Sequence, residues 1–288
     1  SGDDILVGPG TYFERIDFLG KNVAVTSVGG SAVTVIDADF QGPVVRFVSG
    51  EGPGARLTGF QLIDGYSDLG SVDVFPGGGI AVVDASPLIE DVRITGCFGV
   101  GGSQWTAGGI GCHGGAPVFR RCRIVGNLGG NGYFDGANGG VAGLGSAARF
   151  ENCEIAGNTG GRGSYDCQGG YCLGGINGAG GVLWYVSPWA PGVPPATFVG
   201  CLITGNIGGS TGHAYCNPGM GGVGGNVRLI NCTIMHNVGG DGGDGQFGVP
   251  GMSGALGGAA ALSIENCIIR ENFGGAGGTG SPAGQPAP

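Results

Sequence analysis

Residues 150–158 read FENCEIAGN, and the same spacing returns as LINCTIMHN at 229–237 and IENCIIREN at 264–272. Aligned on the cysteine, one column holds Phe60, Val92, Cys122, Cys153, Cys201, Cys232 and Cys267. Two residues on stand Leu62, Ile94, Ile124, Ile155, Ile203, Ile234 and Ile269. Three further stand Gly65, Cys97, Asn127, Asn158, Asn206, Asn237 and Asn272. The steps between copies are 32, 30, 31, 48, 31 and 35 residues. A fixed segment recurring with variable spacers is the signature of a solenoid.

Within each copy the period is two. Cys122 and Ile124 share one face, and Arg121 and Arg123 share the other. Stacked parallel coils set equivalent residues about 4.8 Å apart. Cys and Ile then form inward columns, with the thiol as a small buried hydrophobe. Asn leaves the strand at a corner whose backbone groups are cut off from water, so an internal Asn ladder is expected there. A second pattern precedes each copy, as in GGGIAVVDASPLIEDV at 77–92 and AGGIGCHGGAPVFRRC at 107–122. A short apolar strand follows the glycines and a turn leads into the motif strand. Each coil therefore has at least two short strands and one variable loop, in an all-β parallel β-helix. The solenoid spans 1–275, with N-terminal coils over 1–50 and regular coils over 51–275. A long insertion falls at 159–198, and 276–288 forms a Gly/Pro-rich tail.

Composition fits this reading. Glycine is 72 of 288 residues, yet no Gly-X-Y register runs through the chain, which excludes collagen. Hydrophobic residues are 41% and charged ones 11%, the reverse of a disordered composition. Net charge is −9, and Lys21 is the single lysine, so no basic stripe serves a nucleic acid. No apolar run reaches the roughly 20 residues of a membrane span.

The pattern GGGI…SP.I…I..N.GG resembles the right-handed parallel β-helix repeats of the pectate-lyase-like superfamily. It is nearest to the GGGI/NC repeats of polymorphic outer-membrane and other bacterial surface proteins. Residues 3–39 are similar to the opening coils of that superfamily, pectin methylesterases included. The resemblance implies a right-handed solenoid and a capping segment ahead of DDILVGPGTY, or a neighbouring molecule over that edge. It leaves function open, because the superfamily spans lyases, hydrolases, esterases and adhesins. Polygalacturonase-like enzymes carry NTD, DD, GHG and RIK elements. Here GCHGG and GHAYC occur without a central DD pair or RIK.

Candidate chemistry lies in the loops after the Asn column: GGNGYFDG (129–136), GGRGSYDC (160–167), GGSTGHAYC (208–216) and GGDGGDGQF (239–247). Carrying the coil register forward puts Gln104, Phe134, Tyr165, His213 and Asp244 in one column. Trp105, Asp135 and Asp166 fall in the next. Stacked loops would set Asp135 and Asp166 side by side, near Tyr165 and His213. Paired carboxylates separate their pKa values and share acid and base duties, so these four are the expected catalytic group. The plainer alternative is a set of Asx-turns in glycine loops. Trp105, Phe134, Trp184, Tyr185 and Trp189 are expected ligand contacts, the last three on a Pro-rich aromatic insertion that could instead be a lid burying its own rings. Calcium is the one cofactor considered, held by Asp241 and Asp244 or by Asp135 and Asp166. Cys167 and Cys216 are a disulfide candidate, with Cys167–Cys172 as the alternative, whereas the inward column stays as thiols because parallel side chains do not face each other. Arg120 over Glu151, and Arg93 and Arg123 beside Glu154, read as an exterior ion-pair ladder.

Two functions follow from these expectations. One is a secreted or cell-surface structural or adhesive solenoid that partners itself end to end. The other is a polysaccharide-acting enzyme, or a non-catalytic binder of extracellular glycans through the same loops.

Overall fold

In the computed structural model, the described residues are 2–67, 77–101, 106–132, 136–163, 178–185, 192–211, 218–243, 251–257 and 262–278. Three parallel sheets run the length of the molecule. Sheet A has nine strands, from Asp4–Val7 to Leu262–Glu265. Sheet B has nine, from Gly10–Phe13 to Ile268–Arg270. Sheet C has eight, from Ile16–Asp17 to Leu256–Gly257. The chain visits A, B and C in turn and pairs each strand with its equivalent one coil on. Parallel crossovers of this kind wind right-handed. No helix among the described residues is long and apolar enough to cross a membrane.

The motif is not one straight strand. It divides into a three-residue strand of sheet A and a three-residue strand of sheet B, as in Arg149–Glu151 and Glu154–Ala156. The residue between them turns left-handed in coil after coil: φ is 53° at Asp91, 50° at Arg121, 53° at Asn152, 54° at Asn231 and 51° at Asn266. Asn and Asp accept this conformation more readily than other side chains. Arg121 is the costly member, and its guanidinium chelates Asp91 through two bonds of 2.8 and 2.7 Å. The sharp corner explains how the Cys, seated between the two strands, and the Ile of the sheet B strand both point inward.

Each strand contributes one central side chain to the core. In sheet A the column runs Ile5, Val25, Leu57, Ile89, Phe119, Phe150, Phe198, Leu229 and Ile264. Phe119, Phe150 and Phe198 stack at 4.7 and 4.6 Å between ring centroids with nearly parallel planes. In sheet B the column runs from Tyr12 and Ile36 through Ile155 to Ile234 and Ile269. Sheet C supplies Ile80 and Val82, Ile110 and Cys112, Val141 and Gly143, and Val182 and Trp184 on four successive coils.

The corner after sheet B carries the Asn ladder. Asn158 is fully buried. Its Oδ1 accepts from Asn127 N at 2.9 Å and from Asn127 Nδ2 at 3.0 Å. Its Nδ2 donates to Ile124 O at 2.9 Å and to Asn206 Oδ1 at 2.9 Å. Asn206, Asn237 and Asn272 repeat the arrangement on the next coils. At the N-terminal end the ladder stops at Cys97, whose backbone N–H still donates to Asn127 Oδ1. Each side chain thus satisfies backbone groups of its own and the adjoining coil, which a buried corner requires.

Candidate functional site

Between sheets B and C, coil after coil leaves the body along a glycine leg and returns along another. The outgoing legs include residues 129–132, 160–163, 208–211 and 239–243. The returning legs include 136–140, 178–181 and 219–222. The two legs interleave in a zigzag of backbone hydrogen bonds that climbs the stack. Ala137 N donates to Gly130 O, Gly161 N to Ala137 O, Gly178 N to Gly161 O, and Gly209 N to Gly178 O, all at 2.8–3.0 Å. The chain continues through Gly219, Gly240 and Met252 to Gly275. At the glycine positions of this neck a side chain has no room. A Cβ on Gly178 would stand 1.7 Å from Ala137 O, and one on Gly239 would stand 1.7 Å from Met252 O. The atoms in the way are backbone, so no rotamer change relieves the clash.

The zigzag fixes where the loops begin. Phe134 and Asp135 lie in sequence between Gly132 and Gly136. Tyr165, Asp166 and Cys167 lie between Gly163 and Gly178, His213 and Cys216 between Thr211 and Pro218, and Asp244 between Gly243 and Gly251. Trp105 immediately precedes the returning leg at Thr106. These residues, with Cys172 and Trp189, lie outside the described residues. The described legs that flank these intervals stand at the same corner of each coil. The outer face of the outgoing legs carries a short polar ladder: Arg162 N donates to Asn131 Oδ1, Asp241 N to Ser210 Oγ, and Ala276 N to Asp241 Oδ1. Asp241 therefore gives one carboxylate oxygen to a backbone amide. No cluster of three metal-binding side chains occurs among the described residues.

Trp184 corrects the expectation of an exposed aromatic contact. It is buried in the core, 1% exposed, and its Nε1 donates to Ser146 O at 2.9 Å. Its ring meets Phe150 edge to face and fills the space over Gly143, where a Cβ would come within 2.4 Å of ring carbons. The glycine of one coil makes room for the indole of the next. Tyr185 is half-buried against a small second cluster of Ala179, Leu183 and Met220 on the outer side of sheet C. Insertion length alone does not distinguish a projecting loop from a strand, because Val182–Tyr185 is continuous with sheet C.

On the outer faces of sheets A and B, charges pair from coil to coil. Arg120 Nε meets Glu151 at 2.7 Å and Arg123 Nε meets Glu154 at 2.7 Å. Arg228 meets Glu265 at 2.7 Å, and a neighbouring hydrogen bond of 2.5 Å joins His236 Nε2 and Glu271. Hydrogen bonding to Arg121 holds the Asp91 carboxyl below its usual range, and bonding to Arg149 and Arg120 does the same for Glu151. The interior thiols are inert. Cys122, Cys153, Cys201 and Cys232 are buried, each with its Sγ beside a carbonyl of the preceding coil. Burial pushes Cys97 up to about 12 and raises Cys112, while the neighbouring thiol and burial push Cys201 up to about 12. Cys267, in the last coil, is half-exposed.

One feature was not read from the sequence. Phe13, Glu14, Arg15, Asp37, Ala38, Asp39 and Gln41 line a groove of about 470 Å³ on the first two coils. Burial, then the charges of Asp37 and Asp39, raise the pKa of nearby Asp64. The signal was the DAD triplet at 37–39 and Asp64 one coil on, at the corner that the next four coils fill with Gly96, Gly126, Gly157 and Gly205.

No protein-family model matches the chain, and no curated protein matches it. Among solved structures it is similar to the pectin methylesterase PemA from Erwinia chrysanthemi, at 12% identity over 93% of this chain and 83% of that one, with a TM-score of 0.44. A pectin methylesterase from Yersinia enterocolitica shares 12% identity over 98% and 90%, with a TM-score of 0.36. The ORF18 protein of Geobacillus virus E2 shares 11% over 93% and 52%, with a TM-score of 0.37. The strand register fixes the architecture independently of these likenesses: this is a parallel β-helix of three sheets, wound right-handed as parallel crossovers are.

Proposed function

We propose that the chain is an extracellular, surface-associated β-solenoid with a structural and adhesive role, and that its row of necked loops is an edge for contact with glycans. One observation carries this reading: the backbone zigzag at the neck holds the glycine legs from which the loops depart at one corner, one coil apart. A rigid scaffold with variable loops on a single edge is the arrangement by which solenoids build extended contact surfaces. The loop sequences suit carbohydrate, with Phe134, Tyr165, His213, Asp135 and Asp166 set among glycines. Several charged side chains on the faces of sheets A and B, Arg120, Arg121, Arg123 and Arg228 among them, are engaged with acidic groups, which favours the loops as the contact edge. A low lysine content accords with a surface location.

A glycan array probed with the intact chain and with a Phe134→Ala/Tyr165→Ala variant tests the reading. Binding to particular glycans that the variant loses by tenfold or more is the expected result. Equal binding by both proteins, or none, would reject the loops as the contact edge. Release of new sugar ends from a bound glycan, abolished by Asp135→Asn or Asp166→Asn, would make the chain a polysaccharide-acting enzyme instead.

A further inference from the structure

Each outgoing leg opens with the residue that follows the Asn column. These residues pair in parallel from coil to coil, Leu128 with Thr159, Thr159 with Ile207 and Ile207 with Val238. They form an outward row in which Leu128 is 48% exposed and Ile207 46% exposed. Two glycines follow on every coil, and none of them has room for a Cβ. A second row comes next, made of Asn131, Arg162, Ser210 and Asp241. Only backbone lies between the two rows. Three members of the second row are pinned at one atom and open at another. Asn131 Oδ1 accepts from Arg162 N at 2.8 Å, Ser210 Oγ from Asp241 N at 3.1 Å, and Asp241 Oδ1 from Ala276 N at 2.7 Å. The Asn131 amide N–H groups, the Ser210 hydroxyl proton, Asp241 Oδ2 and the whole Arg162 guanidinium have no partner among the described residues.

We propose that this face is a binding track for an uncharged polysaccharide laid along the rod, with the apolar faces of its sugar rings on the first row and its hydroxyls on the second. The proposal rests on the glycan reading above and places the contact on the legs themselves. The open groups of the second row include donors and an acceptor, and a sugar hydroxyl answers both. Their formal charges, one guanidinium and one carboxylate, cancel, while the whole chain carries −9 and repels an acidic polymer. A peptide would add through an open strand edge. Here the leg amides are already engaged: Leu128 N donates to Cys97 O, Gly129 N to Thr159 O, Thr159 N to Asn127 O and Gly160 N to Ile207 O. Side chains are left as the recognition groups. The coils repeat the same pair of contacts about every 4.8 Å, so a linear polymer of like units meets them again on each coil. Pinned side chains also lose little freedom when a ligand arrives.

Native gels cast with hydroxyethyl cellulose, glucomannan or xyloglucan, and separately with polygalacturonate, test this. The intact chain is expected to be retarded by at least one of the three neutral polymers and not by polygalacturonate. Leu128→Ala/Ile207→Ala removes the apolar row. Arg162→Ala removes an unpartnered guanidinium and keeps the backbone bond to Asn131. Each should weaken retardation tenfold or more while thermal melts stay unchanged, because these side chains are exposed. Loss in the leg variants supports the track whatever a Phe134→Ala/Tyr165→Ala chain does. Loss in that loop variant alone overturns the track and leaves the loops as the contact edge. No retardation by any neutral polymer, or retardation by polygalacturonate alone, also overturns the proposal. So does self-association of the intact chain in sedimentation that Leu128→Ala/Ile207→Ala abolishes, which would make the row an interface between copies.

Discussion

Replacing Asn158 by alanine tests how much of the solenoid's stability resides in the buried corner. The side chain makes four hydrogen bonds in a site without water access. Its loss leaves the Asn127 backbone N–H and one Asn127 Nδ2–H without partners, and removes the amide that caps the Ile124 carbonyl. A buried polar group left unpaired costs about 1–3 kcal/mol, so three of them cost roughly 3–9 kcal/mol. Asn272 occupies the same column and makes the same kinds of bond, but it is only partly buried, at the last coil. Water replaces its amide, and Asn272→Ala is expected to cost about 1 kcal/mol. Urea unfolding followed by circular dichroism reads both variants on one scale, provided the transition stays cooperative in a repeat protein. Equal losses for the two variants, or an Asn158→Ala loss below about 1 kcal/mol, would show that the ladder does not carry the corner.

Three further outcomes are expected. Gly178→Ala should destabilise the chain by about 3 kcal/mol or more, because its Cβ meets the Ala137 backbone, while Gly8→Ala, with nothing within 4 Å, should be neutral in the same urea titration. Asp91 titrates below its unfolded value of about 3.9 because of Arg121, so its contribution is complete above that value and is lost as pH falls through the lower folded one. The stability gap between the native chain and Asp91→Asn, measured by thermal melts, should therefore be present at pH 6 and vanish in strong acid. The raised thiol pKa values of Cys97, Cys112, Cys153, Cys201 and Cys232 act in the opposite direction. Their stabilisation is complete below the unfolded pKa of about 8.5, then falls with rising pH by about 1.4 kcal/mol per unit per thiol until the folded pKa is passed. Melts under reducing conditions between pH 8 and 11 should show a steep decline that Cys112→Val makes shallower, since Val82 already fills the same column one coil earlier.

The fold was legible because its repeat is written in side chains with fixed directions. The Cys, Ile and Asn columns each face one environment, so their spacing reports a coil directly. The left-handed corner at Asn152 was harder to see, since Asn, Asp, Arg and Gly all occupy it and period-two alternation survives the bend. Trp184 was misread as a contact residue because an indole inside a β-helix needs a partner one coil away, and Gly143 is 41 positions earlier in the chain. The neck was the least visible feature. Its order comes from backbone hydrogen bonds between glycines on different coils, and glycine carries no side-chain pattern to reveal them. The groove on the first two coils escaped for a similar reason: Arg15 and Asp39, which line it, belong to different coils.

Hydrogen–deuterium exchange across the glycine legs addresses the neck most directly. A scaffold that holds its loops through the backbone zigzag predicts that the amides of Gly161, Gly178, Gly209, Gly219 and Gly240 exchange as slowly as those of Ile155 and Ile203 in sheet B. Exchange of those glycine amides at the rate of unstructured chain, with sheet B still protected, would contradict a hydrogen-bonded neck and remove the basis for a fixed row of loops.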